Sequence, residues 1–283
     1  MGFKSFAEMG RIADTEGFHW AYVTKTTAPW STNLRFIDVS VSPGIPRYNA
    51  YPGSALDATR IIGSGNLGIY PGSFTPGRNK NLMRLQIIQS AGQTPDTAFL
   101  LDYLMFYPLV DLDDVGLQAM TNTVTLPRYQ SGEGVRIFVV NTAPVTFSGG
   151  SMTITYTNSD GVSGRVATGG LIQAGTPAYV LQTAGAGLGS DIVPFFPMAN
   201  GDRGVRSIES VQCLGSPGGF ANLVLAKPIA MINIPEQSTS VEKQFGIFET
   251  PPEIFEGSYL NFIVQRNGTA QASYMAELLF MNN

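Results

Sequence analysis

The sequence is short of nearly every group that carries chemistry. Its 283 residues include one histidine, His19, and one cysteine, Cys213, nearly two hundred positions apart. A zinc site needs clustered nitrogen and sulfur ligands, so this pair excludes one of the usual kind. A lone cysteine forms no internal disulfide. Set in SVQCL, it reads as a small buried hydrophobe rather than a reactive thiol. A serine hydrolase triad would have to use His19, which sits beside Trp20 in a segment expected to be an arm, and no G-x-S-x-G is present. Charge is scarce as well: 13% of residues are charged, about half the ordinary share. With a net charge of -4 and no run of Lys or Arg, the chain lacks the footprint of direct nucleic-acid binding. No apolar run is long enough to span a membrane, and the first twenty residues lack the apolar core of a signal peptide. No cofactor, metal or membrane partner is expected.

The poverty of charge leaves a neutral surface of Ser, Thr, Asn, Gln and Gly. Such a surface suits lasting contact, because few charges need desolvating. Lysine, the residue interfaces avoid, occurs only at 4, 25, 80, 227 and 243. A biased source proteome explains the same composition equally well.

Three short motifs suggest chemistry and fail on context. IIGSGNLG (61–68) contains G-x-G-x-x-G after two β-branched residues, but Pro71 and Pro76 forbid the helix that a dinucleotide fold requires next. DLDDVG (111–116) resembles a fragment of a calcium loop without its spacing or terminal Glu, and reads as a solvated acidic turn. Asn267-Gly268-Thr269 is a glycosylation sequon by letter and reads better as a turn.

What is abundant is β pattern and turn residues. FKSFAEMGRIAD (3–14) is the one helix candidate, with Phe3, Phe6, Ala7, Gly10 and Ala13 on a single stripe. It is too short to stand alone in water and must pack on its own domain or on a neighbour. From Trp20 onward the periodicity is that of strands. Residues 43–79 are rich in Gly, Pro, Ser and Asn and read as a long loop excursion. LMRLQIIQ (82–89) reads as a strand, and DTAFLLDYLMFYPLVDL (96–112) as a long central strand ending at Pro108, with Asp102 in its middle. Hairpins are expected where SMTITYT turns at NSDG, where IESVQCL turns at GSPGG into FANLVLAK, and where YLNFIVQ turns at Arg266-Asn267-Gly268 into ASYMAELLF. Strands recurring every 8–12 residues predict an all-β, antiparallel β-sandwich or jelly-roll-like domain. The expected organisation is an N-terminal arm, residues 1–20, a main domain, residues 21–283, and the excursion at about 43–79.

Several segments together carry a resemblance. LLDYLMFYPLVD (100–111), NTVTLPRYQSGEGVRIFVV (122–140), YTNSDGVSGR (156–165), GDRGVRSIESV (201–211), LVLAKPIAMI (223–232) and GSYLNFI (257–263) occur in this order. The ordered set resembles a family of virion structural proteins from tailed bacteriophages, over roughly residues 80–265. The resemblance implies a particle component without catalytic residues: a head decoration or cement protein, a minor capsid protein, or a tail, adaptor or head-fibre component. A decoration protein would be virion-located, and would bind the major capsid protein and itself, as a homotrimer. A receptor- or glycan-binding β module is the alternative outside the virion.

The interface candidates are Phe3, Phe6, Trp20 and Trp30 around the arm, the 43–79 loops, and Arg136, Arg165 and Arg206 beside tight turns. Those arginines, with Arg203, either pair with acids such as Glu133, Asp160 and Asp202 to pin loops or reach a neighbouring subunit through bidentate contacts. Pro127 of LPRY is expected at a strand edge, and Pro228 of LAKPIA at a strand end.

Overall fold

The computed structural model describes residues 6–28, 35–49, 51–63, 68–143, 150–170, 181–182, 194–215, 218–246 and 249–282. One helix, α1 (Phe6–Glu16), precedes β1 (Phe18–Thr26), β2 (Arg35–Asp38), β3 (Gly44–Ile45), β4 (Thr59–Arg60) and β5 (Lys80–Ala91). The middle of the chain gives β6 (Asp96–Asp111), β7 (Leu117–Ala119), β8 (Arg136–Asn141), β9 (Ser151–Asn158), β10 (Arg165–Gly170) and β11 (Leu181–Gln182). The rest gives β12 (Val205–Leu214), β13 (Phe220–Ile234), β14 (Ser240–Gln244), β15 (Glu253–Ile254), β16 (Leu260–Arg266) and β17 (Ser273–Asn282). No helix among the described residues is long and apolar enough to cross a membrane.

The strands form three sheets, and all of their pairings are antiparallel, as the sequence pattern predicted. A central sheet runs β11-β8-β13-β6-β16-β2, with β4 added against β6. A second sheet runs β14-β5-β17-β1-β3, with β15 on β5, and a small one runs β10-β9-β12-β7. The central sheet is shared between two sandwiches. Ala98 and Leu100 of β6, Ile232 and Ile234 of β13, and Phe262 and Val264 of β16 pack against Val23, Leu85, Ile87, Leu278 and Phe280 of the second sheet. Farther along the same two long strands, Met105, Tyr107, Leu223 and Leu225 pack against Met152, Ile154, Tyr156, Ile208 and Cys213 of the small sheet. Each such fully buried Leu, Ile or Phe contributes about 1.5–3 kcal/mol relative to exposure.

The other face of the central sheet is buried too. Phe99, Leu101, Tyr103, Phe106, Phe138 and Val224 lie beneath Phe36, Tyr51, Ile61 and Tyr259. This explains why β6 reads as an unbroken apolar run: a strand covered on both sides has no polar alternation. It also gives the described part of the 43–79 excursion a structural duty, since Tyr51, Ala58, Ile61 and Ile69 are core residues.

Several local expectations are corrected. β6 continues past Pro108 to Asp111, and β13 continues past Pro228 to Ile234. Both prolines lie where the β6–β13 register slips, between Ala221 and Leu223 and between Pro228 and Ala230. A bulge accommodates a residue that cannot donate to the ladder. Beside the first, Leu109 adopts a positive φ of 57°, and its N–H donates to Asn222 Oδ1 at 3.1 Å. LPRY lies in a loop, not at a strand edge. Only one of the three expected hairpins pairs with itself: β9 returns as β10. There Asn158 Oδ1 accepts from the N–H of Asp160 and of Val162, and Gly161 and Gly164 take the positive φ. β12 and β13 belong to different sheets, as do β16 and β17. Their turns carry the chain from one layer to the other, so turn residues marked a reversal correctly but not its partner.

The helix forms two to three residues later than expected and packs by a different face from the expected stripe: Ala7 and Gly10 are exposed. Met9, Ile12 and Ala13 lie against Met83, Leu279 and Met281 on the outside of the second sheet. Glu16 at its end pairs with Arg78, and Gly17, at a positive φ of 71°, turns the chain directly into β1.

Candidate functional site

The described surface is richest in exposed aromatic and apolar side chains along β1. Phe18, Trp20 and Tyr22 alternate outward on its solvent face, and Tyr22 is 63% exposed. The inward positions Ala21 and Val23 are core. A strand half-buried in this way normally shows polar residues outside; this one shows aromatics. Arg84, across the sheet on β5, lies over the Trp20 ring at 4.7 Å from its centre.

Next to this row runs a groove of about 410 Å³, lined by His19 to Tyr22 on one side and by Gly44–Arg47 and Gly68–Tyr70 on the others. Ile45, Tyr48 and Tyr70 are exposed around it, Ile45 by 65%. Two of the chain's few lysines are buried beneath its walls. Lys25 Nζ donates to the carbonyls of Ser42 at 3.1 Å and Pro46 at 2.6 Å, which fixes the Gly44–Arg47 wall. Lys80 Nζ donates to the Pro71 carbonyl at 2.7 Å, behind the Gly68–Tyr70 wall, and lies 5.4 Å from the centre of the Phe74 ring. Neither lysine makes an ion pair with a carboxylate among the described residues. Burial pulls the Lys25 ammonium down to about 8 against a partial counter-pull from Asp38, and burial lowers Lys80 as well. Asp38 is itself buried and pushed up, while the hydroxyls of Tyr51 and Tyr103 and the N–H of Ser40 favour its charged form. His19 is lowered by burial and then by Lys80, and among the described lining residues Arg47 is the one Lys, Arg, Asp or Glu.

The second region is the end of the molecule where the segments carrying the sequence resemblance converge. Arg128 makes a bidentate pair with Asp102, Nε to Oδ2 at 2.9 Å and Nη2 to Oδ1 at 2.7 Å. The carboxylate also accepts from Ser258 Oγ and the Tyr259 N–H. Asp102 stands opposite Lys227 on β13 and Leu260 on β16, at the boundary between the two sandwich cores. Lys227 Nζ reaches the Glu133 carbonyl at 3.0 Å. Beyond it, Arg203 bridges Glu133 and Asp160. Arg165 pairs with Asp202 at 2.9 Å. Arg206 donates to the carbonyls of Ser131 and Ser159, both at 2.9 Å. Arg136 lies 3.3 Å from the Met198 sulfur. Burial opposes ionisation of Asp202, but Arg165, Tyr156 and Asn158 together bring it to about 2.

The structure thus separates the predicted interface residues. Trp20 lies on the groove; Arg136, Arg165 and Arg206 sit together at the loop end. There, Arg165 and Arg206 are engaged within the chain. Phe3 and Trp30 fall outside the described residues, as does the Phe6 side chain. Sequence reading missed Arg128, because nothing in LPRY announces that its arginine turns inward, and it missed Tyr22; Ile45 and Tyr70 fall within the 43–79 loops, which it named only as a whole. The alternation Phe18, Trp20, Tyr22 was the available signal for an unusual outer face.

The other motifs are structural. Of the glycine-rich stretch, Gly63 packs on the Ser258 backbone and Gly68 on the Tyr259 ring, while residues 64–67 fall outside the described residues. Asn267 spends its side-chain amide on the Thr94 carbonyl. Asp111 and Asp114 each cap a turn with an N–H two residues on. Among the described residues no three His, Cys, Asp or Glu side chains cluster as a metal site. Cys213 is buried, and its thiol is pushed up to about 11 by burial and by the nearby Asp111 and Asp114.

No family model and no curated protein sequence matches the chain. Among solved structures it is similar to particles of infectious bursal disease virus. The Gx strain structure gives 10% identity and a TM-score of 0.21, covering 94% of this chain and 81% of that one. The virus-derived T=1 particle gives 12% and 0.22, with 94% and 78% covered. The T13 viral particle gives 13% and 0.22, with 94% and 77% covered.

Proposed function

We propose that this chain is a structural component of a phage virion, a capsid decoration protein that stabilises the head shell by binding the major capsid protein. The observation that carries the reading is the aromatic row Phe18, Trp20 and Tyr22 beside the β1 groove, mounted on a sheet with a packed core behind it. Aromatic side chains at an exposed, weakly charged surface favour protein–protein contact. The ordered segments of residues 80–265 supply the link to virions. The mechanism is mass action: a protein that binds only the assembled shell stabilises that shell, and repetition over a symmetric lattice multiplies weak contacts. A homotrimer seated on a three-fold axis shared by three shell subunits would give one copy per shell subunit.

Quantitative mass spectrometry of purified virions tests the proposal. A ratio to the major capsid protein near one, or near one third, is expected. A few to a few dozen copies per particle would move the chain to the tail, adaptor or head-fibre group. Absence from virions would overturn the proposal and leave a receptor- or glycan-binding module.

A further inference from the structure

The groove has a backbone component that its side chains conceal. Strand β1 pairs along its whole length with β17, but on its other edge it pairs only with Gly44 and Ile45, at Lys25 and Thr24. The side to which each amide points follows from Thr26, whose N–H donates to the Pro43 carbonyl at 3.0 Å. Successive residues of a strand point their N–H and C=O to opposite edges. The even-numbered residues of β1 therefore face the β3 side, and Trp20 and Tyr22 face the groove. Among the described residues, neither N–H nor C=O of these two has a hydrogen-bond partner. Exposed edges are usually blunted by a lysine, a proline or a bulge; Phe18 to Val23 contains none of these, and its register with β17 is unbroken.

The two walls decide what fits. Gly44–Arg47 and Gly68–Tyr70 line the groove together with the open stretch, each held by a buried lysine. A groove of about 410 Å³ suits one extended segment rather than a broad sheet edge. The segment's backbone would pair with Trp20 and Tyr22, while alternate side chains would meet Ile45, Tyr70 and the aromatic row. The lining contains Arg47 and no carboxylate, so charge complementarity calls for an acidic residue at that end.

We propose that the Trp20–Tyr22 edge is a strand-addition site that takes an extended polypeptide segment from a virion neighbour, apolar at alternate residues and acidic beside Arg47. The virion origin of the segment rests on the function proposed above; the peptide chemistry of the site does not. Strand addition derives affinity from main-chain bonds and specificity from alternate side chains.

The test is titration of the isotope-labelled full chain with the acetylated, amidated peptide Val-Thr-Val-Glu-Val, followed by amide NMR. Saturable shifts and slowed hydrogen exchange at the Trp20 and Tyr22 amides are expected. Tyr22→Pro removes the groove-facing N–H and the Tyr22 ring with it, so it should abolish the effects at the Trp20 amide while the amides that pair β1 with β17 keep their positions. Should that variant unfold, Ile45→Lys changes only the side chain of the residue paired with Thr24, fills the groove and should weaken binding at least tenfold. Replacing the peptide's Glu by Lys should weaken it several-fold. Unmoved Trp20 and Tyr22 amides at millimolar peptide, or binding that survives both chain variants, would overturn the proposal. So would shifts there with maltoheptaose and none with the peptide, which would make the groove a sugar site. Virion stoichiometry is read separately, so loss of the virion reading and loss of the strand-addition site are distinguishable.

Discussion

At the scale of single residues, the buried charges do the most specific work. Asp102 and Arg128 are almost wholly buried, 0% and 5% exposed at their side chains. A buried pair adds little net stability over an apolar pair, but breaking it strands a charge. Arg128→Met is therefore expected to cost about 3–5 kcal/mol in denaturant unfolding, and Arg128→Met combined with Asp102→Leu less than that. Lys25 gives a pH signature. Its folded value is about 8 against 10.5 in the free side chain, so folding expels a proton between those values. A base depressed by folding carries its full penalty below pH 8, and the penalty is relieved as pH rises from about 8 towards 10.5. Cys213, raised by burial from an ordinary 9.0 to about 11, works the other way as pH rises above 9, as do the buried tyrosines above 10. The difference between the wild-type chain and Lys25→Met isolates the lysine. Urea midpoints at pH 7, 8, 9 and 10 should show the wild type gaining on the variant from pH 8 upward, and no such gain would refute the burial of a charged Lys25.

At the scale of elements, legibility follows how local the cause is. Helix α1 was readable as a helix because helical periodicity is a property of a few adjacent residues, but its buried face was not: Met9 and Ile12 pack on the sheet with Ala13, while Ala7 and Gly10 of the expected stripe are exposed. Strand β6 was readable as central because burial on both faces erases alternation. The bulges at Pro108 and Pro228 were not, because a proline's local preference is to stop a strand, and only the partner strand shows where a slipped register absorbs it. The layer-crossing turns were equally hidden. GSPGG reverses the chain whether or not the next strand pairs with the last. The site shows the same division. Trp20 was singled out from sequence as an interface candidate around the arm, whereas Tyr70 and Ile45 join it only because Lys25 and Lys80 hold two distant loops in place.

At the scale of the whole molecule, β6 and β13 run through both sandwiches. Neither core can lose its central sheet without exposing the other. Ile137→Ala, in the core against the small sheet, removes buried volume worth about 2–5 kcal/mol. Its effect should appear undiminished in the fluorescence of Trp20, on the far sheet, and should coincide with the transition seen by circular dichroism. Two separated transitions would mean that the sandwiches unfold independently.

The pairing of β1 with β17 has a consequence during synthesis. Phe18 finds its partner in Met281, and Thr26 in Ser273. The second sheet therefore holds its earliest-made strand unpaired along that edge until its latest-made strand has left the ribosome. Until then the aromatic row is displayed on a strand with both edges largely bare, and pairings this distant in sequence close slowly. An unpaired aromatic edge is adhesive, so the same residues that suit a mature contact also set a demand for dilution or chaperone cover until β17 is made.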